Sequence, residues 1–158
     1  MRFIFLILLL LFASVLAACS FSTEFVVVND SGSPVLLRYK VGARSDPLAG
    51  SEIPATLAAR QLRSGEWRRL SAGQYAFDPG NGVVTVSLKP GEALRISIGG
   101  GGERGDCVGV DDSIKEVDAQ GPSGGISLRG DQVYKSFGVE PKPFYSLSKN
   151  TICTLRYK

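Results

Sequence analysis

Hydrophobic and polar positions along this chain fall into short alternating runs separated by clusters of Gly, Pro, Asp, Asn and Ser. Residues 24–29 (EFVVVN) are rich in β-branched and aromatic side chains and stop at Asp30-Ser31-Gly32-Ser33-Pro34, a concentration of turn formers. Residues 35–41 (VLLRYKV) then alternate, with Val35, Leu37, Tyr39 and Val41 on one face and Leu36, Arg38 and Lys40 on the other. Two strands and a short connection predict a hairpin. After residue 65 the same signal returns at 66–70, 74–78, 83–88 and 93–98, each run bounded by turn residues such as Pro79-Gly80-Asn81-Gly82 and Lys89-Pro90-Gly91-Glu92. Val84, Val86 and Leu88, then Leu94, Ile96 and Ile98, make alternating apolar faces, with Thr85, Ser87, Arg95 and Ser97 outward.

The runs at 126–129, 132–137, 144–147 and 151–157 complete the strand inventory, and residues 111–125 read as a polar connection. In the last run Cys153, Leu155 and Tyr157 share the face expected to meet the core. Residues 54–64 support two readings equally: a short helix opened by Pro54 and closed near Gly65, or an irregular crossover between sheets. The predicted fold is all-β, an antiparallel sandwich of immunoglobulin-like or similar Greek-key type with about 7–10 strands and room for one short helix.

A different pattern precedes this series. Residues 3–18 contain one polar residue, Ser14, and follow Arg2; sixteen residues is short of the roughly 20 that span a bilayer as a helix. A basic start, an apolar run and small residues at its end have the form of a secretory signal. The run closes on Leu16-Ala17-Ala18-Cys19, which resembles the lipobox of bacterial lipoproteins. That resemblance implies cleavage before Cys19, a diacylglycerol thioether on its sulfur and an acylated new amino terminus. It divides the chain into a removed signal (1–18), a lipidated start and short tether (19–23) and a single β-sandwich domain (24–158). Ser20 after the cysteine resembles the residue that sends enterobacterial-type lipoproteins to the outer membrane, and so implies an anchor there facing the periplasm.

Composition sharpens this picture. There are three cysteines, and lipidation of Cys19 leaves Cys107 and Cys153 to pair in an oxidising compartment, the alternative being two buried free thiols. Pairing would restrict the unfolded chain by about 4 kcal/mol on the loop-entropy account. Losing Arg2 with the signal takes the net charge from +3 to about +2, which with the compartment disfavours nucleic acid as a partner. The chain has no histidine, so Ser-His-Asp, Cys-His and typical zinc sites are excluded, and no cofactor is expected.

Four constellations remain. Arg60, Arg63, Arg68 and Arg69 surround Trp67, a set suited to lipid head groups, envelope polysaccharide or a protein partner, or else a core tryptophan with arginines in solvent. Asp106, Asp111, Asp112, Glu116 and Asp118 offer hard oxygen ligands for Ca²⁺ without the spacing of an EF-hand, and they are also the one source of a carboxylate pair for acid/base chemistry. Residues 100–105 (GGGERG) match the glycine spacing of dinucleotide-binding loops but no helical pattern follows, so a surface loop is expected. Arg104-Gly105-Asp106 and Arg129-Gly130-Asp131 resemble integrin-binding tripeptides and are equally ordinary turn chemistry, while Asn29-Asp30-Ser31 has the form of a glycosylation acceptor. The expectation is a non-catalytic binding or assembly module at the membrane surface. A carboxylate-dependent hydrolase or carbohydrate-active domain and a calcium-dependent adhesin are the alternatives.

Overall fold

The computed structural model describes residues 22–42, 58–61, 67–71, 73–100, 107, 114–140 and 151–158. Through them run β1 (Ser22–Asn29), β2 (Val35–Val41), β3 (Ala58–Gln61), β4 (Arg68–Arg69), β5 (Tyr75–Asp78), β6 (Val83–Leu88), β7 (Glu92–Gly100), β8 (Ile114–Gly121), β9 (Gly124–Arg129), α1 (Asp131–Lys135), β10 (Gly138–Val139) and β11 (Thr151–Tyr157). The strands form two sheets, one ordered β10-β11-β1-β7-β3-β4 and the other β5-β6-β2-β8-β9. The chain is an all-β sandwich. It has eleven strands among the described residues, one more than the upper expectation. One pair departs from the antiparallel rule: β1 and β11 run parallel, from Thr23 opposite Thr151 to Asn29 opposite Tyr157.

The first two strands are not a hairpin. β1 lies in the six-stranded sheet and β2 in the five-stranded one, so residues 30–34 turn a corner between layers. Asn29, fully buried, holds that corner. Its Nδ2 donates to the Ser33 carbonyl at 2.9 Å and to the Leu88 carbonyl at 3.0 Å, and its Oδ1 accepts from Ser31 N at 3.0 Å and Ser31 Oγ at 2.7 Å. One amide thereby ties the β1–β2 corner to the end of β6. Its donors and acceptor are all used, which is the condition for burying a polar side chain without penalty.

Alternation places one set of side chains between the sheets. Phe25 and Val27 from β1, Leu37 and Tyr39 from β2, Val84 and Val86 from β6, and Leu94 and Ile96 from β7 meet there with Cys153, Leu155 and Tyr157 of β11. The face predicted for the last strand is therefore the core face. The continuous apolar run of β1 also buries its other side: Val26, Val28 and Ala93 form a second cluster with Trp67 and Ile152. Ser97, expected in solvent, is buried as well. A sheet covered on both faces reads as an unbroken hydrophobic strand, and the VVV of β1 is such a run.

Two further expectations give way. The polar connection at 111–125 contains β8, which pairs with β2 on one side and β9 on the other. Its buried residues, Ile114, Val117 and Ala119, do not keep a period of two, because the ladder with β2 slips between Lys40 and Val41. The run at 132–137 is helical over α1. As a strand it would bury Lys135 beside Val133 and Phe137; as a helical turn, Val133 and Phe137 lie four apart on one face and Lys135 is exposed. Gly130, at φ +52°, provides the left-handed entry into that turn. Of residues 54–64, 58–61 form strand β3, and the rest lie outside the described residues, as does the run at 144–147.

Cys107 and Cys153 are at disulfide distance, with Cα atoms 5.7 Å apart. Both are buried, so the link staples the terminal strand to the middle of the chain from inside the core.

Candidate functional site

The tryptophan–arginine constellation sits at one end of the six-stranded sheet. Trp67 is half-buried against the cluster of Val26, Val28 and Ala93 on the outer face, so its indole covers aliphatic surface. Arg68 and Arg69 follow it on β4, the edge strand, and both are exposed. β4 pairs with β3, placing Ala59 opposite Arg68 and Ala58 opposite Arg69, and Arg60 of β3 stands opposite Ala93 of β7. Three of the four arginines thus belong to two adjacent strands, the outermost on that side of the sheet among the described residues. Arg63 lies outside the described residues.

Sequence reasoning missed two participants. The Arg95 guanidinium stands 5.0 Å from the centre of the Trp67 ring, and its Nη1 lies 3.7 Å from Glu24 Oε2. Both side chains of this ion pair are mostly buried, at 19% and 12% exposure. The guanidinium therefore meets a carboxylate and an aromatic face where water is scarce, which strengthens both interactions. Arg95 was legible as an outward position of an alternating strand. Its meeting with Trp67, 28 positions earlier in the numbering, depends on β3 and β4 folding back beside β7.

The acidic set divides. Asp106, Asp111 and Asp112 lie outside the described residues. Glu116 and Asp118 are both on β8, facing Arg129 and Ser127 of β9 across the ladder. Arg129 grips Asp118 with two parallel bonds, Nη1 to Oδ1 at 2.9 Å and Nη2 to Oδ2 at 3.0 Å, while Ser127 Oγ donates to Oδ1 at 2.8 Å. Arg129 Nε is also 3.7 Å from Glu116 Oε2. Partial burial alone would raise the Asp118 carboxyl, but the hydrogen bonds from Arg129 and Ser127 outweigh it and hold the group below the usual carboxylate range. A general acid needs its carboxyl pushed the other way. This pair is committed to a cross-strand ion bridge, and among the described residues no three His, Cys, Asp or Glu side chains gather as a metal site.

The same bridge accounts for Arg129-Gly130-Asp131: its arginine is held by Asp118, and its aspartate opens α1. The other such tripeptide, at 104–106, and residues 101–106 of the glycine-rich loop lie outside the described residues, as does Cys19. Asn29 has its amide nitrogen engaged by two carbonyls inside the protein, so in the folded chain it offers no acceptor for a glycan. No protein-family model matches this chain, and searches of curated proteins and of solved structures find no similar protein.

Proposed function

We propose that this chain is a bacterial envelope lipoprotein, held through acyl chains on Cys19, whose sandwich acts as a non-catalytic binding or assembly module. The observation that carries the reading is the adjacency of Leu16-Ala17-Ala18-Cys19 to the first strand: β1 begins at Ser22, so the folded domain starts three residues after the lipidated position. Two or more acyl chains give stable anchoring, at about 0.8 kcal/mol per buried methylene, where one gives only marginal binding. The commitment of Glu116 and Asp118 to Arg129 favours a binding role over the hydrolase and calcium alternatives. The surface proposed for a partner is the sheet edge carrying Arg68 and Arg69, next to Arg60 and Trp67, and the partner chemistry is anionic: a phosphate- or carboxylate-bearing envelope polysaccharide, or an acidic protein surface.

The deciding measurement is the intact mass of the membrane-extracted protein, before and after Cys19→Ala. A mass equal to residues 19–158 plus acyl chains, lost on substitution, is the expected result. A mature chain in the soluble fraction with an unmodified Cys19 overturns the proposal. Crosslinking in the native envelope, compared between the parent chain and Arg68→Glu/Arg69→Glu, then tests the edge as the partner surface.

A further inference from the structure

We infer that the sandwich stands on the membrane by one defined pole, built from the beginnings of β1 and β11, the β5–β6 turn and α1, with the opposite pole turned away from the lipid; this rests on lipidation of Cys19. The argument is one of reach. Ser22 is the first residue of β1, and three peptide units cannot span more than about 11 Å in any conformation. β1 climbs from Ser22 to Asn29, and seven steps at about 3.3 Å carry its far end roughly 23 Å away. Cys19 therefore cannot reach the level of Asn29, and its acyl chains must enter the bilayer from the Ser22 end.

The ladders identify what else lies at each end. β11 begins beside β1, Thr151 opposite Thr23, while β7 ends there, Gly100 opposite Ser22. β2 returns in the other sheet, so its last residues, Lys40 and Val41, are also at this pole; Lys40 stands opposite Val83 and Glu116, and Glu116 opposite Arg129. That brings down the turn of residues 79–82 and α1 after Arg129. α1 closes the gap between the sheets here: Val133 is fully buried, the Tyr134 ring meets Phe25 edge-on at 5.3 Å, and the Tyr134 hydroxyl accepts from Ile114 N at 2.9 Å. Its Gln132 and Lys135 side chains are exposed. The other pole holds the Asn29 corner, the turn of residues 89–91 and the β8–β9 turn, where Tyr157 meets Gly124. Arg68 and Arg69 lie between them, at the level of Val27 and Val26, roughly 13 Å above Ser22. An edge at that height clears the head groups.

The test is made on the full lipidated protein, with a fluorophore attached to Gln132→Cys at the near pole or Ser123→Cys at the far one, the buried disulfide left oxidised. Each is reconstituted into phosphatidylethanolamine/phosphatidylglycerol vesicles containing a lipid with a nitroxide on its head group. The Gln132 label should lose most of its emission and the Ser123 label little. Equal loss at both positions, or greater loss at Ser123, in protein that floats with the vesicles and carries acyl chains by mass overturns the orientation alone. Protein that carries no acyl chains overturns the orientation together with the lipoprotein reading beneath it.

Discussion

The Tyr157 hydroxyl donates a 2.7 Å hydrogen bond to the Gly124 carbonyl, joining the last strand of one sheet to the β8–β9 turn of the other. Gly121 makes this contact possible: a Cβ there would lie 2.7 Å from the Tyr157 hydroxyl and 3.1 Å from two ring carbons. The ring is rigid and buried, so it cannot swing aside. Gly121→Ala should cost about 1–3 kcal/mol as overpacking, and Tyr157→Phe about 1 kcal/mol for the lost bond. The double variant should lose less than the two summed, because part of the clash leaves with the hydroxyl. Urea unfolding of the four proteins, followed by Trp67 fluorescence, measures all three quantities.

Asn29 offers a sharper test of the corner. Asn29→Ala leaves the Leu88 and Ser33 carbonyls and the Ser31 donors without their partner, and should cost about 2–4 kcal/mol, at roughly 0.5–1 kcal/mol for each of the four bonds broken. Asn29→Asp keeps the shape but sets a carboxylate against two carbonyl oxygens. Burial and that repulsion raise its folded-state pKa above the unfolded value, so this variant should recover stability as pH falls and lose it as pH rises. Denaturant midpoints at pH 4 and pH 7 compare the two; equal midpoints for Asn29→Asp would place the side chain in solvent instead.

The Cys107–Cys153 link should contribute about 2–5 kcal/mol. Because both sulfurs are buried, reductant should act slowly on the folded protein and rapidly once denaturant opens it. Thiol counting against time, with and without urea, reads this directly. Two thiols titrating at once in native buffer would contradict the buried placement.

Tyr39 is fully buried, and among the described residues its hydroxyl has no hydrogen-bond partner. Desolvation, with a smaller contribution from Tyr75, pushes its pKa far above the ordinary tyrosine value. The unfolded chain then loses this proton first, so the stability Tyr39 confers is complete below about pH 10 and falls as pH rises above that value. Tyr39→Phe should be close to neutral at pH 7, since it keeps the buried ring and removes only the hydroxyl. Above pH 10 it should unfold less readily than the parent chain. Thermal melts at pH 7 and pH 11 on both proteins decide it.

How much of this could be read from the residues alone differs between elements for physical reasons. Val84, Val86 and Leu88 of β6 and Cys153, Leu155 and Tyr157 of β11 recur every second residue and are buried, and a period of two places a side chain on a face whatever strand lies alongside. The sandwich class follows from many such runs between turn formers, and the Cys107–Cys153 pair from cysteine arithmetic once Cys19 is set aside. Alternation names no neighbours, however. β1 and β2 look like a hairpin because five turn residues separate them, yet only the buried amide of Asn29, bound to Leu88 far along the chain, turns that loop into a corner between sheets. β8 was hidden by a slip in its ladder, which shifts the period where the sequence still reads as polar loop. Over 132–137, two hydrophobic residues four apart fit either a strand or a helical turn, and the core accepts the form that leaves Lys135 in water. At the sheet edge, sequence alone grouped the arginines with Trp67, while the tertiary structure brought Arg95 to the indole and Glu24 to Arg95, because which strand lies beside which is settled by packing across the whole sandwich and by no stretch within it.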